Sequence, residues 1–252
     1  MTRLLCIMGS GETAPTMVKV HRALIERSGR PAVLLDTPYG FQENADDISA
    51  KAQDYFAASV GTPIGIARLR SAADDAVSQA TAVARIRDAA YVFAGPGSPT
   101  YALAQWAATP VPALVADKLR TGGAVTFASA AALTLGVVTL PVYEIYKAGE
   151  APSWRAGLDL LSVAGFSAAV IPHYDNAEGG HHDTRYCYLG ERRLASLEGS
   201  LPVGAFVLGV DEHTGAIFDL DAATVTVVGI GGMTVRSGGR STVWATGTTV
   251  GF

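Results

Sequence analysis

Two cysteines in 252 residues, Cys6 and Cys187, are too few and too far apart for a disulfide framework or a thiolate metal site. Charge is scarce as well: 17% of the residues are Asp, Glu, Lys or Arg, and the net charge is −4. The 19 Lys and Arg residues are scattered, so no basic face forms for a polyphosphate backbone, and nucleic acid is not an expected partner. Although 49% of the chain is hydrophobic, no apolar run approaches the roughly 18 to 20 residues that cross a bilayer, which excludes a membrane partner of that kind. Residues 1–9 carry one charge and a short apolar segment that ends in a glycine turn where a signal peptide would have a cleavage site. A soluble, cytoplasmic protein is the expectation.

What is present is an alternation of strand and helix patterns without a polar linker, which favours one α/β domain over residues 1–252. Residues 4–8 read as a first buried strand, followed by the loop Gly9-Ser10-Gly11-Glu12-Thr13 and a helix opened by Pro15 and closed near Gly29. That loop lacks the third glycine of a dinucleotide fingerprint and reads as a tight βα turn. Strands are expected at 32–35, 64–67 and 90–94, with helices at 48–60, 72–89 and 111–119. A polar loop over 37–47 follows the second strand, at the end where open α/β sheets bind ligands. Residues 142–146 read as a short strand and 168–172 as another. A helix is expected over 184–197, capped by Asp183 and carrying Cys187. From Pro202 the pattern turns β-rich, with strands at 205–210, 216–220, 224–228, 233–236 and 242–245, an antiparallel extension whose edges offer a route to a homo-oligomer.

The chemistry centres on the run from Gly122 to Leu133, a buried strand entering a small-residue helix with Ser129 at the corner. A serine there has its hydroxyl clear of the sheet, and the next backbone NH groups, unpaired at a helix start, face whatever it attacks. The turn Gly95-Pro96-Gly97-Ser98-Pro99 ends the preceding strand. If the two strands are neighbours, an NH of Gly97 or Ser98 joins that of Ala130 as an oxyanion hole; the alternative for the turn is a helix cap. Glu144 is the first acid after the serine. The strand at 168–172 ends at His173, in a loop that also holds Asp175, His181, His182 and Asp183. The histidine spacing is irregular and presents no i, i+4 pair, so a metal is not expected. A neutral imidazole at a strand end suits a general base, and the order Ser129, Glu144, His173 completes a triad. His181 and His182 read as solvated loop residues; Asp211 and Glu212 follow a strand, where they either touch the site or, the favoured reading, cap a turn.

Over nearly its whole length the chain resembles the S51 serine peptidases, the aspartyl dipeptidases and cyanophycinases. The resemblance rests on Phe93-Ala94-Gly95-Pro96-Gly97, Ser129-Ala130, Pro172-His173-Tyr174, Thr184-Arg185 and the run Val207 to Ala216. It implies a three-layer α/β/α fold of the class I glutamine amidotransferase type with a mostly parallel central sheet. It further implies Ser129 as nucleophile, His173 as base, Gly97 and Ala130 as oxyanion hole, and Glu144 at the place of the family's aspartate. The implied substrate is a small peptide or amino-acid derivative with an aspartyl residue, bound with the help of Arg185 and Ser98, and no cofactor is implied. The family elbow reads G-x-S-A-G-A, whereas Phe127 and Ala131 stand at the glycine positions here, and Phe127 is expected to crowd the serine or its pocket. Two functions stay open: a serine hydrolase acting on a peptide or isopeptide bond, and a non-catalytic ligand-binding protein of the same fold. A glutamine amidotransferase proper would need a cysteine at 129.

Overall fold

The computed structural model describes residues 2–252. In chain order the strands are β1 (Arg3–Met8), β2 (Ala32–Leu35), β3 (Ile64–Ala67), β4 (Tyr91–Ala94), β5 (Gly123–Ala128), β6 (Val138–Thr139), β7 (Arg155–Ala156) and β8 (Ala168–Ile171). They continue with β9 (Phe206–Val210), β10 (Thr214–Asp219), β11 (Thr224–Gly229), β12 (Gly232–Ser237), β13 (Arg240–Ala245) and β14 (Thr249–Gly251). The helices are α1 (Val18–Ser28), α2 (Ala45–Tyr55), α3 (Ala76–Asp88), α4 (Pro99–Ala107), α5 (Val111–Thr121), α6 (Ser129–Leu133), α7 (Val142–Tyr146) and α8 (Glu191–Glu198).

The strands form two sheets. The larger runs β14-β11-β10-β1-β5-β4-β2-β3, parallel from β1 to β3 and antiparallel where β10, β11 and β14 extend it. The smaller runs β13-β12-β9-β8-β6-β7; it is largely antiparallel, but β8 pairs in parallel with both β6 and β9. Alternation along the central strands separates two cores, because successive side chains leave a strand on opposite faces. Leu5, Ile7, Val125 and Phe127 pack with Trp106 and Val115 on one face, a core that also takes Val170 and Leu208 of the smaller sheet. Leu4, Cys6, Met8 and Ala128 pack with Leu24 and Phe56 on the other. Among the described residues no helix is long and apolar enough to cross a membrane.

Several expected elements differ from the structure. Residues 142–146 form α7 and not a strand: Pro141 opens the turn, and the buried pair Val142 and Ile145 has the three-residue spacing of a helix face. Only the end of 184–197 is helical. Tyr186, Cys187 and Tyr188 have φ of 61°, 55° and 67°, a left-handed turn that no right-handed helix contains. Asp183 still serves α8, accepting the Glu191 NH at 2.9 Å from outside the helix. The pairs β6 and β7 and the last strand, β14, were too short to stand out as alternating runs.

Phe127 neither tilts the serine nor enters a pocket. It is fully buried on the face opposite Ala128 and stacks on Trp106, with ring centroids 5.4 Å apart. It is therefore a core residue, and Phe127→Ala is expected to lower the unfolding free energy by about 3–5 kcal/mol, measured by urea titration.

Candidate active site

Ser129 stands at the junction of β5 and α6 with φ of 49°, a left-handed conformation that costs a non-glycine residue roughly 1–2 kcal/mol. The corner is held because Ala130 to Leu133 are buried and the Ala131 NH donates to Gly95 O at 3.2 Å. β4 and β5 are parallel neighbours, with Ala94 opposite Phe127, so the turn after β4 lies beside the serine. Gly97 and Ala130 both line the small cavity into which Ser129 opens, and neither backbone NH has a partner among the described residues. Gly97 has φ of 138°, and a Cβ there would lie 2.0 Å from Pro38 O, so only glycine fits. The Ser98 NH, by contrast, donates to Pro38 O at 2.8 Å. The Ser98 hydroxyl caps α4 by accepting the Tyr101 NH at 3.2 Å, so Ser98 is a structural cap and does not line the cavity.

His173 follows β8, also with a left-handed φ of 49°. Its Nε2 lies 3.0 Å from Ser129 Oγ and its Nδ1 lies 2.8 Å from Glu212 Oε1. The acid on the histidine is thus Glu212, just beyond β9, and not Glu144. Glu144 is carried by α7, whose Val142 and Tyr143 line the serine's cavity while Glu144 does not. The correction has a topological cause: β8 and β9 are parallel neighbours, so the residues after their C-terminal ends emerge side by side. The two loops are stitched together. Tyr174 NH donates to Val210 O at 3.1 Å, Glu212 NH to Asp175 Oδ1 at 2.7 Å, and Asn176 Nδ2 to Glu212 Oε1 at 3.2 Å. Burial pushes the Glu212 carboxyl up, but the hydrogen bonds from His173 and Asn176 and the positive charge nearby outweigh it and leave the group below its ordinary value. Asp211, the residue before it, is pushed up to about 6, first by burial and then by the charges of Asp175 and Glu212, against a hydrogen bond from Gly232.

The first loop of the chain supports this acid. A Cβ at Gly9 would lie 2.0 Å from Asp211 O, so β1 ends in direct backbone contact with the turn that carries Glu212, and Ser10 Oγ accepts the His213 NH at 3.3 Å. Burial also raises the carboxyl of Glu12 in the same loop.

Arg185 is paired with a carboxylate of its own loop. Its Nε and Nη2 donate to the two oxygens of Asp183, each at 2.8 Å, and it does not line the cavity. The hydrogen bonds from Arg185 hold the Asp183 carboxyl well below the usual range. His181 and His182 are exposed, and no group of three His, Cys, Asp or Glu side chains suited to a metal ion occurs among the described residues. Cys187 does line the cavity, but it is buried and its thiol is pushed up to about 12 by burial, reinforced by the charge of Glu212. The cavity over the serine holds only about 40 Å³.

No protein-family profile matches the chain. The curated proteins contain no match either. Solved structures do match: a peptidase from an acI-B1 Actinobacterium is similar at 20% identity and a TM-score of 0.79, covering 100% of this chain and 98% of its own. A candidate peptidase E protein from Listeria monocytogenes EGD-e is similar at 11% identity and a TM-score of 0.58, covering 97% and 99%. At these identities the likeness is one of fold, and the chain has the α/β architecture of peptidase structures over its full length.

Proposed function

We propose that the protein is a serine-type hydrolase of the S51 peptidase kind, cleaving a peptide or isopeptide bond in a small substrate through an acyl-enzyme on Ser129. The observation that carries this is the unbroken contact from Ser129 Oγ through His173 to Glu212, at 3.0 and 2.8 Å. An ionised Glu212 accepts a hydrogen bond from Nδ1–H, which leaves Nε2 able to accept the serine proton as Oγ attacks the carbonyl. The developing oxyanion takes its hydrogen bonds from the NH groups of Gly97 and Ala130. His173 then returns the proton to the leaving amine, and a water activated in the same way releases the acid. Glu212 stays ionised throughout and stabilises the imidazolium. With Arg185 committed to Asp183, an aspartyl preference has no support from that side chain. The alternative is a non-catalytic ligand-binding protein of the same fold.

Labelling with a fluorophosphonate separates the two, because the reagent needs an activated serine. Stoichiometric modification at Ser129, lost in Ser129→Ala, is the expected result by mass spectrometry; an unmodified protein supports the binding reading. Glu212→Gln is expected to lower kcat/KM by about 10²- to 10⁴-fold, while Glu144→Gln stays within about threefold of the parent; the reverse ranking would reinstate Glu144.

Glu212 also leaves a mark on stability. A carboxyl held below its ordinary value in the folded state stabilises that state fully above the unfolded value of about 4.3, and the contribution fades as pH falls through the folded value. Urea titrations from pH 7 downward are therefore expected to show a shallower acid-side loss of stability in Glu212→Gln than in the parent.

A further inference from the structure

We infer that the cleft beside the nucleophile is a recognition subsite for an aromatic residue bearing a free carboxylate, which makes the preferred substrate a short peptide with a C-terminal aromatic amino acid. This rests on the acyl-transfer reading for the cleavage step, and on the cleft alone for the recognition.

The cavity over Ser129, about 40 Å³, is narrow and walled by the reacting side chains themselves. Selection among substrates therefore belongs to the adjoining cavity of about 370 Å³, which shares Tyr143 and Tyr188 with the first. Its other walls are Tyr146, Lys147 and Glu178. The chain has nine tyrosines, and three of them meet at this one place. Tyr146 and Tyr188 have ring centroids 4.8 Å apart and 30° between planes, and they present flat apolar surface with polar tips, the surface on which another ring stacks.

The charges in the cleft differ in how they are engaged. Glu178 Oε2 accepts the Tyr188 hydroxyl at 2.6 Å and so fixes that ring. Lys147 has its Nζ 5.2 Å from the centre of the Tyr146 ring and no ion pair with a carboxylate among the described residues. An unpaired ammonium next to aromatic faces matches an aromatic amino acid whose carboxylate is free.

The backbone gives an independent reason to see a built site. Tyr186, Cys187 and Tyr188 are three successive non-glycine residues in the left-handed region, each at a cost of roughly 1–2 kcal/mol. The turn is pinned by hydrogen bonds from Tyr186 NH to Tyr174 O at 2.9 Å and from Cys187 NH to His173 O at 3.1 Å. Tyr188 is thereby placed with reference to the same residue that receives the serine proton.

The test is equilibrium binding by calorimetry to the Ser129→Ala protein, using Ala-Ala-Phe as free acid, its C-terminal amide, and Ala-Ala-Gly as free acid. The free acid of Ala-Ala-Phe is expected to bind about tenfold or more tightly than either of the others. Adding Lys147→Met, at an exposed position, is expected to erase the difference between acid and amide while keeping that between Phe and Gly; adding Tyr146→Ala is expected to do the opposite. Equal binding of acid and amide, a Lys147→Met protein that still discriminates them, or no binding of any of the three overturns the subsite. Fluorophosphonate labelling of the parent protein tests the acyl-transfer reading separately, so a labelled Ser129 without the binding preference sinks only the subsite.

Discussion

The parallel pairing of β8 with β9 is the constraint on which the site depends. With Ile171 opposite Gly209, the two strands end within a residue of each other, and the second residues beyond their ends come out as neighbours. His173 and Glu212 occupy those places. A slip of one residue in this register would turn every side chain to the other face and part the two groups. The backbone and side-chain bonds among Tyr174, Asp175, Val210 and Glu212 fix the register again outside the sheet, where strand pairing no longer reaches.

The serine arrives from the other sheet, and its geometry explains why an elbow without the usual glycines is tolerated. β5 buries Phe127 against Trp106, and the ring does not line the cavity into which Ser129 opens. The methyl group of Ala131 is absorbed in the same core. The strain at Ser129 is offset by burial of the short helix that follows and by its bond to Gly95. Both Ser129 and His173 sit in the left-handed region, so the two ends of the 3.0 Å contact are each held by their surroundings and not by local preference.

Much of this was legible in the residues. The central strands, the corner at Ser129, the histidine at the end of β8 and the glycine turn after β4 all announce themselves by local pattern, because each is a strand boundary marked by a break in an apolar run. The acid was not legible, since its identity follows from which strands are neighbours. Glu144 was nearer in sequence, yet the spacing of Val142 and Ile145 already carried a helical signal. Asp211-Glu212 at the end of a strand was the signal for the true partner, readable only once β9 is known to lie beside β8. The pairing of Arg185 had a simpler signal: an acid two residues before it, Asp183, is within reach of a bidentate pair.

The contact of Gly9 with Asp211 joins the beginning of the chain to a point some two hundred residues later, and β1 pairs with β10 across a similar separation. During synthesis, a nascent chain that has emerged through residue 200 already holds both the serine and the histidine, but β9, β10 and Glu212 are still missing. Such a fragment leaves one edge of β1 unpaired, because β5 is present but β10 is not, and it has no carboxylate on His173 Nδ1. The contact of Ser129, His173 and Glu212 is therefore assembled only after the segment beyond residue 200 has been made, and a product truncated there holds Ser129 and His173 without the third group.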